Sequence, residues 1–374
     1  MGMNRRNFFT SSVAAGAAIT MGGGLSPGVA SAQGTGRQAA SNRSLMKAGT
    51  LLDANEITDE DFRRVRRYGI QNVYARAPIS DPDRMYATVT ELRRMKEVGE
   101  RNGVSVDIVR PRNLAMSNID SERWPAIMLG ESPQRDRDIE GFQQLIRNCA
   151  IAGISGIRYT LSIVGNQRTG YVPGRGDSYY RYSKMADFDM NAPMTRAGRV
   201  DEDMYWERIT YFLDRIVPVA NEYKIKVMSH MEDAMVPPGY RGLYPVTNTV
   251  EGARRFVSIQ ESPYHGLLFC IGTFAEMGQN PTQVYDVLRE FGKKKKIFLI
   301  DFRNIRGSRQ EFAETFPDEG EIDMLRCLRI LKETGYDGMI CPDHWPQNPD
   351  GQAPIMAFQY GYIRGLLQAV DQMG

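Results

Sequence analysis

Short apolar runs alternate with longer amphipathic stretches along the chain, and the pattern repeats eight times after residue 44. A short apolar run bounded by turn residues is typical of a buried strand, whereas apolar residues at every third or fourth position predict a helix. The predicted strands span residues 46–52, 71–75, 105–109, 156–161, 226–230, 267–270, 297–301 and 338–342. The predicted helices span residues 57–68, 83–102, 136–152, 203–223, 249–260, 281–291, 321–334 and 353–370. Strands that alternate with helices at this spacing indicate βαβ units and a parallel sheet.

Eight strand–helix pairs predict an α/β fold whose sheet closes into a (β/α)8 barrel, a TIM barrel, rather than remaining open. An open dinucleotide-binding sheet is disfavoured because no G-x-G-x-x-G motif follows the first strand. One catalytic domain over residues 44–374 is therefore predicted, since barrels of this length are common as single domains. The long segment 165–202 follows the fourth strand, so we expect it at the active-site face as a functional loop or lid.

The composition is that of a globular protein, with 42% hydrophobic and 25% charged residues in a chain of 374. The 47 basic and 45 acidic residues nearly balance, which disfavours nucleic acid or an anionic membrane surface as a partner. No apolar stretch reaches the length of a membrane-spanning helix. The four cysteines show no C-x-x-C spacing, and three of them, Cys149, Cys327 and Cys341, are interpreted as small buried residues.

The first 32 residues have the features of an export signal. Arg5 and Arg6 are followed by Phe8 and Phe9, as in the twin-arginine pattern. A weakly apolar stretch and an A-x-A cleavage site at residues 30–32 come next. Residues 33–43 then predict a flexible linker. We therefore expect export by the twin-arginine route to the periplasm or the medium, with no membrane insertion once the signal is removed.

Metal-ligand residue types stand at the ends of the last four predicted strands. In such barrels the active site is built at the carboxyl ends of the strands. The fifth strand ends at His230, the sixth at Cys270, the seventh at Asp301, and Asp343 and His344 follow the eighth. Imidazole, thiolate and carboxylate are the usual ligands of transition metals. The sequence therefore predicts a metal site at this rim.

Several motifs, in one order along the chain, resemble those of the mannonate dehydratase family, which belongs to the xylose-isomerase-like barrels. The resemblance covers roughly residues 90–370 and is best from residue 145 onward. The motifs are residues 148–153 with Tyr159, Gln167-Arg168-Thr169, residues 225–238 with His230-Met231-Glu232-Asp233, residues 268–273, residues 301–305, residues 321–324, residues 335–338, and Pro342-Asp343-His344.

The resemblance implies one divalent metal held by His230, Cys270, Asp301 and Asp343. Mn²⁺ is the expected ion, with Fe²⁺, Zn²⁺ or Co²⁺ as alternatives. The family reaction removes water from a sugar acid and yields a 2-keto-3-deoxy acid. It requires loss of a proton α to a carboxylate, stabilisation of the enediolate charge by the metal, and departure of the β-hydroxyl.

The resemblance also implies roles for residues around the metal. His344 would take part in proton transfer, since it adjoins the ligand Asp343. Arg168, Arg303 and Asn304 would hold the acidic substrate, with Asp233 among the substrate-binding residues. Either arginine can form two parallel hydrogen bonds to a carboxylate.

The chain departs from the family pattern at two places. The family usually has histidine where this chain has Asp301, and the stretch that carries the family's tyrosine corresponds to residues 351–357, which contain none. The second acid–base group is therefore left open among Tyr171, Tyr179, Tyr180, Tyr240 and Tyr244. Two other functions stay open: a metal-dependent sugar isomerase or epimerase of the same superfamily, and a non-catalytic exported sugar-acid-binding protein.

The expected partner is a small sugar acid or a uronate-terminated oligosaccharide. Barrels of this kind often assemble, so a homo-oligomer is expected by analogy.

Overall fold

A computed structural model describes residues 44–54, 56–115, 118–233 and 235–373. The predicted export signal (1–32) and linker (33–43) lie outside these described residues. The described strands are β1 (Lys47–Leu52), β2 (Asn72–Arg76), β3 (Ser105–Arg110), β4 (Gly156–Tyr159), β5 (Gly170–Pro173), β6 (Tyr179–Lys184), β7 (Lys226–His230), β8 (His265–Cys270), β9 (Ile297–Phe302), β10 (Ile305–Ser308), β11 (Glu311–Glu314) and β12 (Met339–Pro342). The described α-helices are α1 (Asp59–Arg67), α2 (Val89–Arg101), α3 (Ala126–Leu129), α4 (Gln134–Ala152), α5 (Glu202–Tyr223), α6 (Val250–Ser258), α7 (Ile271–Glu276), α8 (Val284–Lys293), α9 (Met324–Glu333) and α10 (Gln352–Gln372).

Eight parallel strands close into a barrel in the order β1-β12-β9-β8-β7-β4-β3-β2. The predicted (β/α)8 barrel is therefore confirmed, and every predicted strand is present with ends shifted by at most two residues. Residues that alternate along each strand point either into the barrel or toward the helices. On β4, for example, Tyr159 packs edge-on against Phe142 of α4 and Phe212 of α5.

Helix α2 begins six residues later than the sequence pattern predicts. The reason is a capping box at Thr88, whose side chain accepts a hydrogen bond from the backbone N–H of Glu91 while the Glu91 carboxylate accepts from the N–H of Thr88. Residues 83–87 instead belong to the loop between β2 and α2. Arg112 fastens this loop by donating to backbone carbonyls of residues 79, 81, 82 and 84.

A second sheet, antiparallel and four-stranded, was not predicted. Its order is β10-β11-β6-β5, and β6 and β11 pair across two separate excursions that follow the carboxyl ends of β4 and β9. The segment 165–202, expected as a loop or lid, supplies β5 and β6. We call β5, β6, β10 and β11 the cap sheet. Because both excursions leave the same end of the barrel, the cap sheet lies at the end where the predicted metal ligands meet.

A search of the described helices finds none with the length and apolar character needed to cross a membrane.

Candidate active site

The strand register places the four predicted metal ligands at one end of the barrel. His230 and Cys270 are the last residues of β7 and β8, and Cys270 is paired in register with Asp301 on β9. Asp343 comes directly after β12. Nε2 of His230 lies 3.9 Å from Oδ2 of Asp301, and Sγ of Cys270 lies 3.6 Å from Oδ2 of Asp343. The four side chains thus meet in pairs around the barrel mouth.

His230 has the protonation state that a metal ligand needs, whereas Cys270 would have to lose a proton. Nδ1 of His230 donates to the backbone carbonyl of Met231 at 2.5 Å, so the lone pair on Nε2 faces Asp301. Burial, aided by the charge of Arg158, lowers the pKa of His230 to about 4 and keeps the imidazole neutral. Burial raises the pKa of Cys270, so a metal would have to displace the thiol proton.

An unsatisfied carboxylate oxygen points to the same conclusion. Oδ1 of Asp301 is buried and has no hydrogen-bond partner among the described residues. Burial and the nearby Asp343 raise the pKa of Asp301, because a buried position and a like charge both disfavour the ionised carboxylate. A divalent cation would satisfy this oxygen and separate the two charges, so the residues present fit a metal.

A second cluster of ligand-type atoms lies beside the first. Single ligand atoms of Asp233, Glu314 and His344 come within 4.8 Å of one another. The two carboxylates, however, are already neutralised by Arg168 and Arg303. Because two buried guanidinium groups already pair with these carboxylates, we interpret this cluster as an ion-pair network.

Arg168 and Arg303 form the centre of that network. Nη2 of Arg168 lies 2.9 Å from Asp233 and its Nε donates to Glu314 at 2.7 Å. Nη1 of Arg303 donates to Glu276 at 2.5 Å and to Glu314 at 3.1 Å. Both arginines are buried, and these bonds occupy the donors that would otherwise hold a substrate.

Arg303 also supports two of the proposed metal ligands. Its Nε donates to Asp343 at 3.2 Å and its Nη2 lies 3.5 Å from the Cys270 sulfur. Gly272 permits this arrangement, because a Cβ at that position would lie 2.8 Å from Nε of Arg303. Arg168 and Arg303 were expected to bind substrate. In the structure they bond instead to acidic side chains around the site and so hold those side chains in place.

His344 is held by the cap sheet. Its Nδ1 lies 2.8 Å from Oε2 of Glu314 on β11, while its Nε2 lies 3.3 Å from Nδ2 of Asn166 and 3.7 Å from Oδ1 of Asp343. Burial opposes charge on this ring, but Asp343 and Glu314 outweigh it and raise the pKa of His344. Its φ of 32° lies in the region that favours glycine, and such strain concentrates at functional sites.

Two other residues expected to contact the substrate, Asn304 and Asp233, form hydrogen bonds within the protein instead. The Asn304 amide donates to the carbonyls of Pro317 and Ile322 and accepts from the N–H groups of Ile305 and Ile322. Asn304 therefore organises its own loop, and we leave it out of the substrate contacts. Asp233 accepts from both arginines and from Asn166 at 2.8 Å, so it belongs to the network.

A cavity of about 610 Å³ opens at this end of the barrel. Its lining includes Asp301, Asp343 and His344 together with side chains that the sequence did not single out, namely Tyr74, Arg110, Arg158, Asn166, Arg181 and Trp345. None of the five tyrosines considered from the sequence is among the described lining residues, whereas Tyr74 is. Burial, with Asp301, raises the pKa of Tyr74 and keeps its phenol protonated.

The part of the chain that carries the four predicted metal ligands matches a known protein family. A sequence model of the family described as D-mannonate dehydratase (UxuA) matches residues 182–374, just over half of the chain. The chain belongs to the mannonate dehydratase family. A mannonate dehydratase from Thermotoga petrophila is 27% identical over 325 residues, which cover 76% of this chain and 86% of that protein.

The solved structures agree on the fold. The crystal structure of mannonate dehydratase from Streptococcus suis serotype 2 superposes with a TM-score of 0.74 at 21% identity, covering 88% of this chain and 95% of that one. A xylose isomerase domain protein from Planctomyces limnophilus gives a TM-score of 0.56 at 12% identity, covering 88% and 99%. The predictions of a mannonate dehydratase family member, a xylose-isomerase-like barrel and a sugar-acid dehydratase are confirmed.

Proposed function

We propose that this member of the mannonate dehydratase family removes water from a sugar acid at a divalent metal held by His230, Cys270, Asp301 and Asp343. The observation that carries the proposal is the position of His344. One ring nitrogen is fixed by Glu314 at 2.8 Å, and the other is turned toward Asp343 in the cavity. A histidine held in this way presents one defined nitrogen to a substrate.

A bound metal would supply Lewis-acid chemistry that the side chains do not provide themselves. When bound, a divalent ion supplies Lewis acidity toward substrate oxygens and stabilises negative charge that develops there. One imidazole, one thiolate and two carboxylates suit Mn²⁺, which we propose first, or Fe²⁺, Zn²⁺ or Co²⁺. His230 and Cys270 supply the softer ligands, and Asp301 and Asp343 supply the charge.

The chain itself positions the proton transfers. In its neutral form, His344 would use Nε2 to accept the proton from the carbon α to the carboxylate, and Glu314 would stabilise the imidazolium that forms. Tyr74 lines the cavity with its phenol protonated, and it would donate that proton as the β-hydroxyl leaves as water. The cap sheet contributes Arg181 to the lining of this cavity.

We propose a free six-carbon sugar acid such as D-mannonate as the substrate, with a uronate-terminated oligosaccharide as the larger alternative. The cavity volume of about 610 Å³ is within the usual range of small-molecule sites. Trp345, 43% exposed at the rim, offers an apolar face against which a sugar can stack.

Export by the twin-arginine route to the periplasm or the medium remains our proposal, as does assembly into a homo-oligomer. Cell fractionation of the full chain and of a variant with Arg5→Lys and Arg6→Lys tests the first. Retention of both forms inside the cell would contradict it. Light scattering on purified protein tests the second, and a monomer mass would contradict it.

Mass spectrometry of the product tests the reaction. Purified protein loaded with Mn²⁺ is incubated with sugar acids, and the expected product is lighter by one water. His344→Gln should abolish this product, whereas His265→Gln, at the amino end of β8, should retain it. A product of unchanged mass would indicate an isomerase or epimerase instead. Binding without any conversion would indicate a sugar-acid-binding protein.

A further inference from the structure

Arg158 is a buried arginine that faces the active-site cavity. It lies on β4 between Ile157 and Tyr159, which both pack toward the helices. Because side chains alternate along a strand, Arg158 points into the barrel. It is 7% exposed and lines the same cavity as Asp301, Asp343 and His344.

Two nitrogens of the Arg158 guanidinium have no hydrogen-bond partner in the described part of the chain. Its Nε and Nη1 atoms are buried and lack hydrogen bonds there. Burying a charge without a partner costs several kcal/mol as an order of magnitude. Arg168 and Arg303, by contrast, each bond to two or more carboxylates. Arg158 therefore offers unpaired hydrogen-bond donors to an anion bound in the cavity.

A second guanidinium stands beside it. Arg110, at the end of β3, lines the same cavity, and its buried Nε also has no partner among the described residues. Its Nη2 lies 2.7 Å from Asp53 at the rim. Burial, with the charge of Arg158, lowers the pKa of Arg110. Two like charges held together in a cavity repel each other, and an anion between them would relieve that repulsion.

We propose that Arg158, with Arg110 beside it, binds the carboxylate of the sugar-acid substrate. The ligand class rests on the proposed function. The planar guanidinium can donate two parallel hydrogen bonds to a carboxylate, which fixes the orientation of the acid. Arg158 lines the same cavity as Asp301 and Asp343. The carboxylate would thus sit between the arginine pair and the metal ligands, with the α-carbon toward His344.

This assignment replaces the expectation that Arg168 and Arg303 hold the acid. In the proposal those two arginines shape the metal site, and the specificity for an acid comes from Arg110 on β3 and Arg158 on β4. The neutral polyol of the same length lacks the group that Arg158 recognises, so it should not benefit from this arginine.

Titration calorimetry on the metal-loaded protein tests the proposal. D-mannonate, D-gluconate and D-galactonate are the acidic probes, and D-mannitol is the neutral one. We expect Arg158→Gln to weaken the binding of the acids by about 10- to 100-fold, the usual worth of a charge-assisted contact. Arg158→Lys should fall between, because lysine keeps the charge but not the fork. The control Arg64→Gln, a solvated arginine on the same cavity, should bind as the wild type does.

The unliganded melting temperature separates recognition from a structural role. Arg158→Gln should melt at the wild-type temperature or above it, because it removes buried donors that lack hydrogen-bond partners. A clearly lower melting temperature, acid binding by Arg158→Gln within threefold of the wild type, or no binding of any acid by the wild type would each overturn the proposal. Wild-type binding without water loss would contradict the dehydratase function but not the carboxylate site. In that case Arg158→Gln should still bind the acids more weakly than the wild type does.

Discussion

Glu314 accepts a hydrogen bond from Nδ1 of His344 at 2.8 Å, and both residues come from excursions at the carboxyl end of the barrel. Because Glu314 engages Nδ1, Nε2 is the nitrogen that faces the cavity, where the amide nitrogen of Asn166 lies 3.3 Å from it. Glu314 is 3% exposed and is anchored in turn by Arg168 and Arg303. The cap sheet therefore fixes both the orientation and the tautomer of His344.

We predict that Glu314→Gln lowers kcat by about 10- to 100-fold, the usual cost of losing a partner that orients an active-site histidine. The amide keeps the shape of the side chain but no longer stabilises a charged imidazole. Glu311→Gln is the matched control, since the exposed Glu311 lies on the same strand and accepts a hydrogen bond from Tyr182. Steady-state kinetics with metal content measured in parallel decide the matter. Unchanged kcat in Glu314→Gln would show that His344 does not depend on Glu314.

Arg168→Met should destabilise the fold strongly. Removing this side chain leaves Asp233 and Glu314 with reduced compensation in a buried network, and breaking a buried ion pair costs about 3–5 kcal/mol of unfolding free energy. Arg175→Met, which breaks the solvated pair with Asp318, should cost less than about 1 kcal/mol. Urea unfolding measures both. Normal stability with a raised KM would instead return Arg168 to substrate binding.

The strand-end chemistry was predictable because it follows from local periodicity. Apolar runs located the barrel strands, and a barrel brings strand ends together, so His230, Cys270, Asp301 and Asp343 could be placed on one rim before any coordinates. The structure puts them there in pairs.

The surroundings of those ligands could not be predicted in the same way. Strand β11 pairs with β6, more than a hundred residues earlier, so no local pattern announces that Glu314 will reach His344. Arg303 looked like a substrate contact because the sequence cannot show which carboxylates saturate it. Arg158, by contrast, could have been found from the sequence. It is a charged residue within the apolar strand β4 and on its inward face, where burying a charge is costly unless the charge is paired.

Glu91 should make stability depend on pH in the acid range. Bonds from Ser80, Arg84 and Thr88 outweigh burial and lower its pKa to about 2. Since the folded pKa is depressed, this contribution is complete above the ordinary value of about 4.5 and is lost as the pH falls toward 2. Glu91→Gln should therefore be less stable than the wild type at pH 7, by about 1–2 kcal/mol, with the difference shrinking between pH 4.5 and 2.

Glu97→Gln on the same helix is the control for that series, because Glu97 is exposed and its replacement should leave the stability nearly unchanged. Thermal melts from pH 2 to pH 7 measure all three proteins. A constant difference between Glu91→Gln and the wild type across this range would mean that the capping carboxylate does not titrate as described.

The account depends most directly on a metal held by the strand ends, and metal analysis of the purified protein tests this. Wild type, Cys270→Ala and Cys327→Ala are loaded with Mn²⁺, desalted and measured for metal per chain. Cys327 is a buried cysteine on α9 that serves as the matched control. We predict about one metal per chain in the wild type and in Cys327→Ala, and its loss in Cys270→Ala. A wild type that retains no divalent metal, or a Cys270→Ala variant that retains it fully, would contradict the site described here.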